Sequence, residues 1–191
     1  MKNRVAVLVS GKSTQLDEMI NVGIEIDLVL ADRKCEGLKI AQDADIPTEL
    51  LWRIVFGPGS NRYGCTTRVI DTLLQYRIDL VVIAGFMTLL DPIIFIKGYG
   101  DRILNTRLSF SSDPQEKMLI KPVLATSITF TGCTVCVVTE NLDGGKVVAQ
   151  ERVSIVSGET EKIFHERVNV TRHQLYSRVI RERAVRPVQQ A

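Results

Sequence analysis

No apolar run in this 191-residue chain approaches the roughly 20 residues that a membrane-spanning helix needs. The opening Met1-Lys2-Asn3-Arg4 leads straight into a short apolar run and shows no signal-peptide cleavage pattern, so the expected compartment is the cytoplasm. Charge of one sign is scarce. The 24 Lys and Arg residues against 22 Asp and Glu leave a net charge of +2, which argues against a broad nucleic-acid surface. Only two histidines occur, His165 and His173, both in one helical stretch where a histidine is more often structural than catalytic. Cysteine is sparse too. Cys133 and Cys136 have a metal or redox spacing, but they lie in a strand-like run, and residues three apart on a strand face opposite ways. No second Cys pair or nearby His completes a metal set, so both read as small buried residues and no metal is expected. Internal repeats and low-complexity tracts are absent.

An apolar fraction of 45% is ample for a sizeable core. Its centre is Leu80–Ala84, an unbroken run rich in β-branched residues and too short for a typical helix. Such a run fits a strand buried on both faces, in the middle of a parallel sheet. Gly85 then frees the backbone to turn. Arg4–Ser10 is a second buried strand, Ile24–Ala31 a third, and Thr48–Trp52 a short fourth. Helices are expected at Leu16–Ile20, from Gly37 to Asp45, and over Thr66–Tyr76 with Val69, Ile70, Leu73 and Leu74 on one face. Phe56–Asn61 is a turn-rich loop.

Asp91-Pro92 opens a helix running to Lys97, and Arg102–Thr106 is a short strand. Ser109–Pro114 reads as loop. Ile128–Thr139, the turn Asn141–Gly145 and the return strand Lys146–Ile155 form a hairpin. Ser157–Thr160 caps a last helix from Glu161 to Arg183, with a loose tail from Ala184. The alternation of strands and helices up to Gly85 predicts a Rossmann-like α/β fold, a doubly wound, mainly parallel sheet with an appended antiparallel hairpin.

Two stretches carry candidate chemistry. Gly11-Lys12-Ser13-Thr14-Gln15 joins a strand to a helix, where free N–H groups and the helix dipole favour an anion and Lys12 adds a cation. A P-loop reading fails, because the position of that motif's first glycine is Ala6, inside the strand; Gly-x-Gly-x-x-Gly is absent as well. A phosphate site of another kind and an ordinary strand-to-helix turn both stay open. Phe86 and Met87 follow the central strand at its carboxyl end, where open α/β sheets place ligands, although as apolar residues they read equally as core.

Val9-Ser10-Gly11, Val82-Ile83-Ala84-Gly85-Phe86-Met87, Ile103-Leu104-Asn105, Gly132-Cys133-Thr134-Val135 and Leu142-Asp143-Gly144-Gly145, in this order, resemble the folate-dependent glycinamide ribonucleotide formyltransferase family over most of the chain. The resemblance implies a single formyltransferase-like domain over residues 1–191. Residues 1–100 would form the Rossmann-like phosphate-binding half, and residues 101–191 the folate-cleft half with the C-terminal helix. It implies formyl transfer from 10-formyltetrahydrofolate to the amine of glycinamide ribonucleotide in purine biosynthesis. It also implies no metal, no nucleic-acid or membrane partner, and a monomer or homodimer. Gly11, Lys12, Ser13, Thr14 and Gln15 would take the substrate phosphate. Phe86, Met87, Thr88, Leu89, Leu90, Leu142 and Asp143 would take the folate.

In this family an Asn and a His donate hydrogen bonds to the oxyanion of the tetrahedral adduct, and an Asp orients the His. Asn105 and Asp143 match; the His position is Arg107, and a Glu of the last helix that helps hold the substrate amine is Arg172. Arg107 can stabilise an oxyanion but does not titrate near neutral pH. Arg172 would repel an ammonium group. Two readings therefore stand: a formyltransferase, or an inactive relative or engineered sequence that serves as a binding or structural protein on the same fold. Arg62, near a family substrate-binding position, reads as solvated surface, and so does the Arg-rich face of the last helix, although that face could also favour a phosphate or carboxylate ligand.

Overall fold

A computed structural model of the chain describes residues 2–51, 62–108, 130–139, 145–156 and 158–185. Seven strands form one sheet: β1 (Val5–Val9), β2 (Leu28–Ala31), β3 (Thr48–Leu50), β4 (Leu80–Ile83), β5 (Ile103–Arg107), β6 (Phe130–Val137) and β7 (Val147–Ser154). Their spatial order is β3-β2-β1-β4-β5-β6-β7. The first five pair in parallel, and β6 and β7 add as an antiparallel hairpin against β5. The doubly wound sheet with its appended hairpin is thus the one that the sequence leads one to expect.

β1 and β4 lie side by side in the interior of the sheet, and alternate side chains feed two cores. Val5, Val7 and Val9 of β1 and Leu80 and Val82 of β4 enter one core, together with side chains of α1 (Thr14–Asn21), α2 (Glu36–Asp43) and α4 (Glu161–Val185). Ala6 and Leu8 of β1 and Val81 of β4 enter the other, with α3 (Arg62–Gln75), Ile94 and Tyr99. A strand covered on both faces has no polar face, which is why these two strands read as unbroken apolar runs. β7, at the sheet edge, is largely exposed and carries Glu151 and Arg152, charges that discourage edge-to-edge pairing.

Four expected boundaries are corrected. Ile24–Asp27 precede the strand rather than belong to it: Gly23 turns the chain at φ 74°, and the Asp27 carboxylate accepts from Val5 N at 2.8 Å and from the Arg4 guanidinium at 3.2 Å. Leu74 faces solvent, while Thr66 joins Val69, Ile70 and Leu73 on the buried face of α3. In place of a helix to Lys97 the chain makes one π-type turn, Phe95–Tyr99, broken at Lys97 and at Gly98 (φ 95°). α4 continues through Ala184, which is buried, to Val185. The expected loop Phe56–Asn61, the segment 109–119 and the turn residues 141–144 lie outside the described residues. No helix among the described residues is long and apolar enough to cross a membrane.

Candidate functional site

β1 leads to β2 and β3 on one side of the sheet, whereas β4 and β5 continue on the other. The strand order therefore reverses between β1 and β4, and in open α/β sheets ligands bind outside the carboxyl ends of the strands at such a point. A cleft of about 320 Å³ lies there, lined from α1's start by Lys12, Ser13, Thr14 and Gln15, from β4's end by Ile83–Phe86, from β5 by Asn105 and Thr106, and from α4 by Arg172.

Side chains tie these walls together. Ser13 adopts a left-handed conformation (φ 52°, ψ 56°), which costs a non-glycine residue about 1–2 kcal/mol. Its hydroxyl does not cap α1; it donates to Ala84 O at 3.1 Å across the cleft floor. The first-turn N–H groups of α1 consequently have no side-chain cap. Gln15 Nε2 donates to Thr106 Oγ1 at 3.0 Å, joining α1 to β5. Behind this corner, Gly37 at the start of α2 donates its N–H to Gly11 O at 3.0 Å. A Cβ on Gly37 would meet Val9 Cγ2 at 3.1 Å and Ser13 Cβ at 3.2 Å, so both neighbours would have to give by a few tenths of an ångström.

The far wall is fixed by Tyr176 of α4. Its hydroxyl lies 2.7 Å from Leu104 O and 3.1 Å from Ile83 O, so one proton bridges the ends of β4 and β5. Full burial pushes this phenol well above its ordinary range, keeping it protonated. Asn105 Oδ1 accepts from Thr106 N at 2.8 Å, which leaves the Nδ2 amide group as the donor.

Beyond Gly85 (φ 78°), the chain from Phe86 to Leu90 is anchored from below. Met87 N donates to Ser10 Oγ at 2.8 Å, Thr88 Oγ1 donates to Asp32 Oδ2 at 2.5 Å, and Arg62 donates to Leu90 O through Nε at 3.1 Å. Asp32, at the end of β2, is 4% exposed and receives Arg33 Nε at 2.9 Å and Nη2 at 2.8 Å. Burial raises its pKa, but hydrogen bonds from Arg33, Thr88 and Ser10 outweigh burial and hold the carboxyl below its usual value. This network carries no sequence motif; its members are unremarkable polar residues at three separate strand ends. Arg62 is not merely solvated, since it pins the Leu90 carbonyl. Met87 is 70% exposed and Leu89 56%, so Met87 is not core, while Phe86 and Leu90 do pack against the second core.

Of the expected catalytic residues, Asn105 lines the cleft. Arg107 stands two residues further along β5, opposite Thr134 of β6, and does not line the described part of the cleft. Leu142 and Asp143 lie outside the described residues. Cys133 and Cys136 are buried in β6; burial pushes the Cys133 thiol up to about 11 and raises that of Cys136. Arg172 is not on a solvated face. It is half-buried in the cleft wall, its Nη2 lies 3.3 Å from His173 Nε2, and burial lowers its pKa.

A doubly wound sheet with a cleft at its switch point, lined by a loop-to-helix corner and by Asn105, defines a Rossmann-like α/β protein. The formyl transferase family profile matches residues 3–180, and the chain belongs to that family. It is 31% identical over 182 residues to the human trifunctional purine biosynthetic protein adenosine-3, covering 92% of this chain and 18% of that protein's length. The chain superposes on phosphoribosylglycinamide formyltransferase from Coxiella burnetii with a TM-score of 0.83 at 32% identity, covering 96% of this chain and 88% of the other. With the enzyme of the same name from Brucella melitensis the TM-score is 0.83 at 30% identity, over 100% of both chains.

Proposed function

We propose that this protein transfers a formyl group from 10-formyltetrahydrofolate to the amine of glycinamide ribonucleotide, a step of purine biosynthesis in the cytoplasm, acting as a monomer or homodimer. The observation that carries this reading is the cleft at the β1–β4 switch point. It brings the loop-to-helix corner Lys12–Gln15, next to Gly11, to the same hollow as Asn105. Lys12, Ser13 and the first-turn N–H groups of α1 bind the substrate phosphate. The folate ring lies against the segment Phe86–Leu90, and the exposed apolar side chains of Met87 and Leu89 suit a flat heteroaromatic ring.

In the reaction an amine adds to the formyl carbon, and negative charge gathers on the formyl oxygen. Asn105 Nδ2 donates to that oxygen, and its own Oδ1 is already held by Thr106 N, so little reorganisation is needed. Arg107 is a permanent cation and contributes charge stabilisation only. Asp143 helps move the proton that the amine releases; collapse of the adduct then breaks the bond between the formyl carbon and N10 of the folate, which takes up a proton and leaves as tetrahydrofolate, with the formyl group on the acceptor amine. Arg107 in the place of the family's His also favours the second reading, an inactive relative that still binds these ligands.

A formyl-transfer assay with glycinamide ribonucleotide and 10-formyltetrahydrofolate tests both. Activity should be measurable, and Asn105→Ala should lower kcat by about 10²–10³-fold. Binding of both ligands without turnover in the wild type would establish the inactive relative instead.

A further inference from the structure

We propose that Gln15 and Thr106 act as one positioning pair for Asn105, carrying the placement of the Lys12–Gln15 corner to the donor amide. The inference rests on the reading of Asn105 as the oxyanion donor and of the corner as the seat of the acceptor phosphate.

Gln15 stands in the first turn of α1 and is 7% exposed. Its Nε2 is committed to Thr106 Oγ1 at 3.0 Å. Thr106 follows Asn105 on β5, and its N–H donates to Asn105 Oδ1 at 2.8 Å. One residue therefore joins α1, through its hydroxyl, to the side chain that presents the donor, through its N–H. The strand is held on its other sides as well. Leu104 O receives the Tyr176 hydroxyl at 2.7 Å, and Asn105 O receives the Cys136 thiol at 3.7 Å. Those two bonds set the end of β5 against α4 and β6; the bond from Gln15 sets it against α1. The same corner is tied to β4 by Ser13 Oγ, which donates to Ala84 O at 3.1 Å.

A ligand that draws on the first turn of α1 thus loads an element with a direct hydrogen-bonded connection to Asn105. A donor must meet a developing oxyanion within a narrow range of distance and angle. A pair that acts only by aiming this donor affects kcat rather than KM. The pair can be cut from either end with little change of shape. Thr106→Val keeps the β-branch and removes the acceptor, and Gln15→Met keeps the length and removes the donor.

Two measurements on the full chain test this. In formyl transfer to glycinamide ribonucleotide, Thr106→Val and Gln15→Met should each lower kcat about tenfold and leave KM for the ribonucleotide within about twofold. The double variant should be no slower than either single one, since both remove the same bond. Thr106→Ser, which keeps the hydroxyl, should stay near the wild-type rate. In the second measurement, the side-chain amide resonance of Asn105, identified by its loss in Asn105→Ala, is followed by NMR as inorganic phosphate is added. It should shift in the wild type and in Thr106→Ser, and hold still in Thr106→Val and Gln15→Met.

An unchanged kcat in Thr106→Val, a rise in KM confined to Gln15→Met, or additive losses in the double variant would overturn the pair. So would a wild-type resonance that ignores phosphate, or a shift that survives Thr106→Val and so arrives through space. Where the wild type gives no turnover the resonance alone decides. A shift that depends on Thr106 in such a chain keeps the pair and removes the function, while turnover indifferent to Thr106→Val does the reverse.

Discussion

Asp32 illustrates what a single buried carboxylate does for a ligand segment. It holds Thr88 and Arg33 and receives Ser10, whose own oxygen holds Met87 N. Asp32→Asn loses the charge and one acceptor and should cost about 1–3 kcal/mol in urea unfolding. Because the folded-state pKa is depressed, the carboxylate's contribution is complete above its unfolded value near 3.9 and disappears as pH falls through the lower folded value. Wild-type urea midpoints should therefore drop below about pH 4, and those of Asp32→Asn should fall less over the same range. A second residue-scale test concerns Arg107. Arg107→His restores a group able to exchange protons near neutral pH, and turnover should rise by about 10²-fold if the segment after Asn105 takes part in the chemistry. An unchanged kcat would exclude that segment. Asn105 was legible through the Ile103-Leu104-Asn105 motif of the resemblance, and it lies in the middle of β5. Asp32 was not, because a lone polar residue at a strand end reads as surface until the tertiary fold brings partners to it, and Arg172 was singled out only through the family resemblance.

Among the elements, α4 and the β6–β7 hairpin have the sharpest consequences. Tyr176→Phe removes the proton shared by Ile83 O and Leu104 O in a buried setting, and should cost about 1–2 kcal/mol by denaturant unfolding. It should also loosen hydrogen-exchange protection at the ends of β4 and β5. At the hairpin, a Cβ on Gly145 would lie 2.3 Å from Val137 O, a backbone atom that cannot rotate away. Gly145→Ala should therefore lower the thermal midpoint more than an alanine at Gly11, whose added Cβ meets nothing within 4 Å. The hairpin itself was plain in the sequence from its alternating strands and glycine-rich turn. The start of β2 was not. Ile24 and Ile26 prolong the apolar run, but the backbone leaves the sheet there, because Asp27 is committed to the first residues of β1. Leu74 shows the same limit on a helix: an apolar residue next to Leu73 extends the stripe on paper while pointing to water.

For the molecule as a whole, the two cores divide the labour. Among the described residues the buried members of the core on the α3 face fall within 6–103, with Val138 packed against them, whereas the other core draws Phe164, Val168, Leu175, Tyr176, Val179 and Ile180 from the far end of the chain. A chain lacking α4 would uncover that face over β4, β6 and β7. It should show no cooperative urea transition, and it should bind an environment-sensitive hydrophobic dye. The parallel order was readable from the alternation of strands and helices. The closing of one face by the last helix was not, since that helix resembles a surface element in composition and reveals its apolar stripe only where it meets the sheet.

Gly37 stands directly behind the corner of the cleft, its N–H on Gly11 O. It works as a shim, the thinnest residue available, wedged between a helix start and the corner that carries Ser13. Thickening the shim by one methyl group would press on Val9 and on Ser13, the residue whose hydroxyl crosses the cleft floor. A laboratory selection for narrower or wider guests should thus find its adjusting screw at position 37, a residue that need not touch any of them.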